Sequence, residues 1–303
     1  MKTLHHWLRA GLLLCLILLL LTASALAAKA SPDNISDWQT LIQQDRERGD
    51  LKGALRDANT AIAAYPKSAV LLAARANVYL DQSDEVKAQT DLEQALKLQP
   101  DCTDAWLALG VRLAGDGEMK KAKEVFDHAI ALSPKKAEVF QTRAYYYDLG
   151  ISDFSAAITD INQAILLAKG TEKEKMEFER WDIELKIWNY KSDIGAQLIQ
   201  DTNKLLAYPD LKDKQRVQLF NARSLFYQKQ KEYAKALADN TKAISLLAGN
   251  NKKLSMLYCQ RGAILAEIQS ESLAARAYAE AARLDAAAYI PNHYRKLIGG
   301  AQK

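Results

Sequence analysis

A period of 34 residues is the feature that most constrains how this chain of 303 residues can fold. Three prolines and two sets of alanines follow it, namely Pro66, Pro100 and Pro134; Ala54, Ala88 and Ala122; and Ala61, Ala95 and Ala129. Trp38 and Trp106 stand two periods apart, with Leu72 midway between them. Four independent columns on one period of this length predict repeated pairs of helices.

The clearest copy of the repeat lies at residues 103–136. It reads Trp106-x2-Leu109-Gly110-x2-Leu113, then Ala122-x3-Phe126-x2-Ala129, and it closes at Pro134. The pattern resembles the tetratricopeptide repeat and departs from it only in carrying leucine where the first helix usually has tyrosine. The resemblance implies an all-α fold, a right-handed superhelical solenoid of antiparallel helix pairs in which neighbours shield each other's apolar faces.

The residue types at these positions suit a pair of packed helices. Gly110 and Ala122 are small where two helices must approach closely. Pro134 lacks an amide hydrogen, so it cannot continue the preceding helix and fixes the turn into the next pair. We therefore expect Pro100 to close one pair and Trp106 to anchor the next.

Seven copies, one of them degenerate, account for residues 35–288. The regular copies are placed at 35–68, 69–102, 103–136, 137–171, 217–250 and 255–288. In the fourth, the alanines fall one place late, which predicts a single inserted residue in the turn "LGISDF". Residues 172–216 depart from the period and are predicted to form two helices, the second ending at Pro209. Residues 289–303 are predicted to form a capping helix, Pro291–Leu297, and a tail.

The N-terminal segment has the features of an export signal. Two basic residues precede an apolar run, Gly11–Leu21, and a small-x-small site, Ala25-Leu26-Ala27. These features predict a signal peptide over residues 1–27 and a linker at 28–34. The alternative is an uncleaved anchor, because about 20 apolar residues can span a bilayer. Either interpretation predicts an exported protein, periplasmic or secreted, or anchored at an inner membrane.

The charge balance of the exported part argues against nucleic acid and anionic lipid as partners. Removal of residues 1–27 leaves 39 Lys and Arg against 37 Asp and Glu, a net charge of +2 on a mixed surface. Membrane contact is therefore expected only through an uncleaved N-terminal segment. Cys102 and Cys259 lie more than four repeats apart, and a disulfide requires Cα atoms within about 7 Å, so none is expected.

The sequence offers little to support catalysis. It has no metal-ligand spacing such as HExxH or CxxC and no glycine-rich phosphate loop. Outside the N-terminal segment the histidines are His128 and His293, far apart in the predicted stack, and His128 is expected to be a surface or turn-packing residue. We therefore expect no enzymatic activity, no cofactor and no metal site.

Two positions inside the repeat change together along the chain. The first helices carry Arg75, Arg143 and Arg223, and the second helices of the same copies carry Asp91, Asp160 and Asp239. In the copy at 103–136 both positions are apolar, as Leu109 and Val125. We infer an ion pair that joins the two helices of a hairpin. The alternative is a row of arginines that bind a ligand. In the last copy, Arg261 stands opposite Ala277, so the sequence does not identify its partner.

The resemblance also implies a binding groove along the first helices. Its positions carry amide, aliphatic and aromatic side chains: Gln39, Gln43, Ala73, Asn77, Leu107, Val111, Gln141, Tyr145, Asn221 and Leu225. Amides can bond a peptide backbone as donor and acceptor, and the other side chains offer apolar contact. The alternative is that these are ordinary solvent-facing positions. The Lys/Asn/Arg cluster with which some family members bind a terminal carboxylate is missing.

Tyrosines are densest in the stretch "RAYYYDLG". Tyr147 matches the family's core tyrosine, Tyr145 is expected to face the groove, and Tyr146 is expected to face the outer side. Tyr145 is the best single candidate for a partner contact, because tyrosine is enriched at interface hot spots.

These features predict an exported scaffold or adaptor that binds a protein partner or peptide segment in its groove without catalysis of its own. The alternative is a regulatory subunit of a cell-envelope enzyme or complex that docks through the irregular section at 172–216.

Overall fold

The computed structural model describes residues 32–190, 194–247 and 249–300. The predicted signal peptide at 1–27 lies outside this part of the chain, as do most of the linker and the end of the tail. Every regular element in the described ranges is a helix, and none is a strand, so the predicted all-α fold is confirmed. Among these helices, none combines the length and apolar character that a membrane crossing requires.

The first of two compact units ends at Leu132, and its described part is a set of three helical hairpins. Its helices are α1 (Ile35–Glu47), α2 (Leu51–Ala64), α3 (Ala69–Asp81), α4 (Glu85–Leu98), α5 (Thr103–Gly115) and α6 (Met119–Leu132). Each helix packs against the next in chain order. The first helices of the hairpins also contact each other, α1 with α3 and α3 with α5.

The second unit begins at Ser133 and continues the alternation of first and second helices. Its helices are α7 (Ala137–Tyr145), α8 (Phe154–Leu167), α9 (Gly170–Tyr190), α10 (Gly195–Leu206), α11 (Asp213–Lys229), α12 (Tyr233–Leu246), α13 (Asn251–Glu267), α14 (Glu271–Leu284) and α15 (Asn292–Gly300). Each packs against the next in chain order. The last is the predicted capping helix, and it follows Pro291.

The repeated small residues lie where the helices meet. The alanines of both columns are fully buried in the first unit, namely Ala54, Ala61, Ala88, Ala95, Ala122 and Ala129. A Cβ atom on Gly110 of α5 would collide with the ring of Phe126 on α6, so glycine lets the two helices approach. The arrangement recurs in the second unit, where Gly262 faces the ring of Tyr278.

Trp106 is tied to the proline that precedes its helix. Its indole Nε1 donates a 2.8 Å hydrogen bond to the carbonyl oxygen of Pro100. The ring of His128 on α6 packs edge-on against the indole, with 4.6 Å between ring centroids. The spacing of six residues therefore lets the indole fasten the first turn of α5 to the turn that ends α4. His128 is an exposed packing residue.

The turn inside a hairpin uses a recurring backbone conformation. The residue that precedes the cap of the second helix has positive φ in six hairpins, at Gly49, Ser83, Gly117, Ser152, Lys231 and Gln269. In the α3–α4 turn, the next amide, that of Asp84, donates to the carbonyl of Tyr79 at 2.8 Å, five residues earlier in the chain. This closes the first helix and starts the second within a few residues.

The inserted residue of the fourth copy is absorbed by a π-helical turn, Tyr146–Gly150, at the end of α7. There the amide of Asp153 donates to the carbonyl of Tyr147 at 2.8 Å, six residues earlier rather than five. Tyr147 is buried, as its match to the core tyrosine implied. The prediction for Tyr146 is wrong, because the wider turn carries this side chain inward and leaves it only 5% exposed.

Two first helices of the second unit start earlier than the repeat boundaries predict. The predicted copies begin at residues 217 and 255, whereas α11 begins at Asp213 and α13 at Asn251. Both helices therefore have 17 residues, against 13 for α5 in the first unit. The extra turn extends the surface that these first helices offer.

Candidate functional site

A cleft of about 490 Å³ lies between the first helices α11 and α13 of the second unit. It is lined by Lys214, Val217, Gln218, Asn221 and Leu225 of α11, by Leu246 and Leu247 at the end of α12, and by Lys253, Met256, Leu257 and Gln260 of α13. The α11 residues follow the helical spacing of three and four positions, so they form one stripe. The cleft therefore has one wall from each of two consecutive first helices.

The floor of the cleft is apolar because it is the open edge of a buried cluster. Val217, Ala243 and Leu257 are buried together, and Leu246 and Leu247 pack against them. Met256 stands above this floor with 66% of its surface exposed. An unbranched methionine adapts to differently shaped partners and is common at binding surfaces.

The amide side chains of the cleft differ in their freedom. Gln260 is held, since it donates to Ser224 Oγ at 3.1 Å and accepts from Asn240 at 3.4 Å. Gln218 and Asn221 make no side-chain hydrogen bond to any described residue. They can therefore donate to and accept from the backbone of a bound segment.

Two of the predicted groove residues, Asn221 and Leu225, line this cleft. Gln43 and Val111 are exposed on the first unit, and Asn77 is half-buried. Tyr145 is 66% exposed at the end of α7, beside the π-helical turn. The exposure of these residues is what a contact surface requires, and it is also what a solvent-facing position has.

The predicted groove residues Gln39, Ala73, Leu107 and Gln141 share one position of the repeat, and for two of them the prediction is wrong. Leu107 is only 5% exposed and Ala73, one period earlier, is fully buried, so neither can contact a ligand. The reason is that α3 packs against α5 in the first unit and covers this side of the first helices. Gln39 occupies the same column and donates to Asp104 of α5 at 3.0 Å. Gln141 likewise donates to both carboxylate oxygens of Glu179 on α9, at 2.9 and 2.7 Å.

The structure forms the three ion pairs inferred from the sequence. The Nε and a terminal nitrogen of each arginine donate to the two oxygens of one carboxylate, at 2.7 and 2.7 Å for Arg75 and Asp91, at 2.7 and 2.8 Å for Arg143 and Asp160, and at 2.6 and 2.8 Å for Arg223 and Asp239. The hydrogen bond to Asp91 raises the pKa of Arg75 above its ordinary value. All three carboxylates are buried.

A fourth pair, which was not predicted from the sequence, lies in the degenerate hairpin α9–α10. Arg180 donates to Asp201 at 3.1 Å. The two residues are 21 positions apart, because α9 is longer than other first helices, so the spacing of 16 or 17 conceals them. In the last copy, Arg261 reaches back to Asn240 of the preceding hairpin at 3.1 Å rather than pairing within its own.

The described residues contain no group of three or more His, Cys, Asp or Glu side chains placed to hold a metal ion. His293 lies 3.1 Å from Glu271 at the surface. Neither Cys102 nor Cys259 is in a disulfide, and burial raises the pKa of the Cys259 thiol.

Comparison with known proteins agrees with this architecture. Residues 103–136 match the model of the tetratricopeptide repeat family. The Pseudomonas aeruginosa pilF structure superposes with a TM-score of 0.55 and 17% identity, over 77% of this chain and 96% of that one. The structure of PilW, described as a widely conserved type IV pilus biogenesis factor, superposes with a TM-score of 0.53 and 15% identity, over 76% of this chain and 98% of PilW. A chain of the Cut9–Hcn1 hetero-tetramer of the APC/C superposes with a TM-score of 0.57 and 14% identity, over 90% of this chain and 50% of that one.

At these identities the likenesses show the fold. No curated protein sequence is significantly similar to this chain. The fold is consistent with a protein-interaction scaffold. The sequence of residues 103–136 is thus similar to the tetratricopeptide repeat, and the chain shares its fold with these solved structures.

Proposed function

We propose that the protein is an exported scaffold that binds a partner protein through the cleft between α11 and α13. One observation carries the proposal: an apolar floor, an exposed Met256 and two unbonded amides, Gln218 and Asn221, converge in one groove. Apolar area that a partner removes from water supplies affinity, and the amides supply orientation.

Affinity capture from native envelopes with three forms of the protein tests the role of the cleft. Met256→Asp places a charge at the mouth of the cleft. Leu166→Asp is the matched control, since Leu166 of α8 is 78% exposed and lines no part of the cleft. We expect the control to retain the wild-type partner and Met256→Asp to lose it. If the wild type, Met256→Asp and Leu166→Asp all capture the same partners, the cleft is not the binding site.

Export is proposed from the N-terminal segment, whose basic head, apolar run and small-x-small site support it. The N-terminal sequence of the protein recovered from cells tests this. A start just after Ala27 is expected for a cleaved signal peptide, and an intact Met1 in the membrane fraction would indicate an anchor. Recovery of an intact chain from the cytoplasm alone would contradict export.

A second candidate is a regulatory subunit that docks through residues 172–216. It is favoured by the irregular hairpin there, because α9 has 21 residues and runs beside a further cleft of about 390 Å³. Glu179 lines that cleft, and burial raises the pKa of its carboxyl group. Exchange of this section for a regular copy is the test. A variant that keeps every native partner would reject this candidate.

A further inference from the structure

We propose that the cleft binds an amphipathic helix that carries carboxylates toward both ends and apolar side chains between them. This inference rests on the proposed function and names the chemistry of the partner. It follows from the length of the groove and from the charges at its two ends.

A second hollow lies next to the cleft, at the other end of α11. This hollow has a volume of about 320 Å³ and is lined by Trp188, Leu225, Gln228, Lys229, Lys231, Tyr233 and Glu267. Leu225 lines both hollows, so the two are adjacent. Together they follow α11 from Lys214 to Gln228, and we call this surface the groove. At 1.5 Å per residue this is about 21 Å.

One end of the groove is positively charged. Lys214 and Lys253 lie in the first turns of α11 and α13, and both are exposed. Neither forms an ion pair with a carboxylate among the described residues. The N-terminal ends of α11 and α13 add partial positive charge in the same place, although Asp213 in the first turn of α11 offsets part of it and Asn250 caps the Lys253 amide. A carboxylate of the partner is therefore favoured at this end.

The opposite end also has an excess of ammonium groups. Lys229 and Lys231 are exposed there, and Lys229 Nζ lies 5.5 Å from the centroid of the Trp188 ring. Glu267 is the carboxylate in the lining of this hollow, and it already accepts a 2.6 Å hydrogen bond from Gln228. A second carboxylate of the partner is favoured here, about 21 Å from the first.

The middle of the groove is apolar and its walls are helices. Val217, Leu225, Met256 and Leu257 lie between the two charged ends. Helices pack by fitting ridges of side chains into the grooves of their neighbours, so a third helix suits this surface. About 14 residues of helix span the same length, which places apolar side chains opposite the floor and acids opposite the lysines.

Two synthetic 16-residue peptides test the proposal against the full-length protein. Both carry leucines at i, i+3 and i+7 in the centre; one has two glutamates at each end and the other has two lysines. Fluorescence anisotropy measures their binding. We expect the glutamate peptide to bind at least about tenfold more tightly at low salt, and this preference to disappear near 1 M salt, where screening acts over about 3 Å.

A charge-reversed variant, Lys214→Glu with Lys253→Glu, provides the structural control. It should lose the preference for the glutamate peptide, whereas Lys252→Glu should retain it. Lys252 is the neighbouring exposed lysine of α13 and does not line the groove. Equal binding of the two peptides, absence of binding by both, or an unchanged preference in the charge-reversed variant would each overturn the inference.

The partner chemistry and the function of the cleft can fail separately. Suppose that Met256→Asp abolishes capture of the native partner while the peptides show no preference for glutamate. The cleft is then a binding site, and the acidic amphipathic helix is the wrong partner. If Met256→Asp also captures the native partner normally, the cleft itself is excluded.

Discussion

The guanidinium of Arg75 meets the carboxylate of Asp91 side by side, with two nitrogen–oxygen distances of 2.7 Å. Its remaining terminal nitrogen donates to Asn59 of the preceding hairpin at 2.8 Å. One arginine therefore holds α3 to its own second helix and to α2. Arg223 does the same with Asp239 and Asn203 in the second unit. This geometry favours the interpretation that these arginines link helices within the protein, rather than forming a row that binds a ligand.

The pair predicts a mutational asymmetry. Asp91→Val alone should lower the free energy of unfolding by about 3 kcal/mol, because it leaves a partly buried guanidinium without its carboxylate. The double variant Arg75→Leu, Asp91→Val should lie within about 1 kcal/mol of wild type, since no charge is left unpaired. Urea unfolding of the single and double variants measures both quantities.

The chain supplies its own control for this experiment. Leu109 and Val125 occupy the same two positions in the copy at 103–136, so an apolar pair is compatible with the hairpin. If the losses of the two single variants add up in the double variant, the two side chains act independently, and the ion pair does not stabilise the hairpin.

How much the sequence predicts depends on whether a feature is local to one repeat. The buried alanines and the Arg–Asp pairs follow from residue spacing, because each lies inside one hairpin. The burial of Leu107 does not, since it depends on how closely α3 approaches α5. The Arg180–Asp201 pair was hidden because a longer α9 changes the spacing.

The cleft itself could be anticipated only in part. The resemblance placed Asn221 and Leu225 in a groove, but the lysines and Met256 belong to other columns of the repeat. Their convergence depends on the early starts of α11 and α13, which the 34-residue boundaries do not show. The 34-residue period does not signal these early starts; the N-cap Asn250 before α13 is a local signal that the period overrides.

The hairpin turns predict that glycine is the more stable residue at equivalent positive-φ positions, so that its introduction and its removal have opposite effects on stability. Ser83 has φ of 59°, where Gly49 and Gly117 stand in the neighbouring copies. Ser83→Gly should therefore stabilise the protein by about 0.5–1 kcal/mol, because the left-handed region costs a residue with a Cβ atom about 1 kcal/mol or more. Gly117→Ala should destabilise it by a similar amount. Thermal unfolding monitored by circular dichroism measures both.

A nearby glycine separates backbone strain from steric effects in that measurement. Gly115 ends α5 with ordinary helical φ, and a Cβ atom at Gly115 or at Gly117 would meet nothing within 4 Å. Gly115→Ala should leave stability unchanged or raise it, because alanine favours helix. A loss equal to that of Gly117→Ala would contradict the assignment of the effect to φ.

Trp106 predicts a loss that can be assigned to a single hydrogen bond. Trp106→Phe keeps an aromatic ring beside His128 but removes the indole donor to the Pro100 carbonyl. The free energy of unfolding should fall by about 1 kcal/mol for the lost bond, together with a smaller loss of packing. His128→Ala removes the ring contact and keeps the bond, so it serves as the comparison. Equal stability of Trp106→Phe and wild type in urea would show that the bond contributes nothing.

Glu184 of α9 predicts a pH dependence of stability. Burial raises the pKa of its carboxyl group to about 7; Arg180 opposes this shift, and Asp201 of α10 adds to it. Between the ordinary value of 4.5 and about 7, the folded protein binds more protons at this site than the unfolded chain does. Stability should therefore fall as pH rises through this window and level off above it, by at most about 3 kcal/mol from this residue.

Glu184→Gln isolates that contribution because glutamine has a similar shape and does not titrate. We expect the variant to be more stable than wild type at pH 8 and the difference to vanish toward pH 4, with both measured by urea unfolding. The comparison cancels Glu179, whose raised pKa adds a slope of the same sign to both proteins. A difference that does not change with pH would mean that Glu184 keeps an ordinary pKa in the folded hairpin.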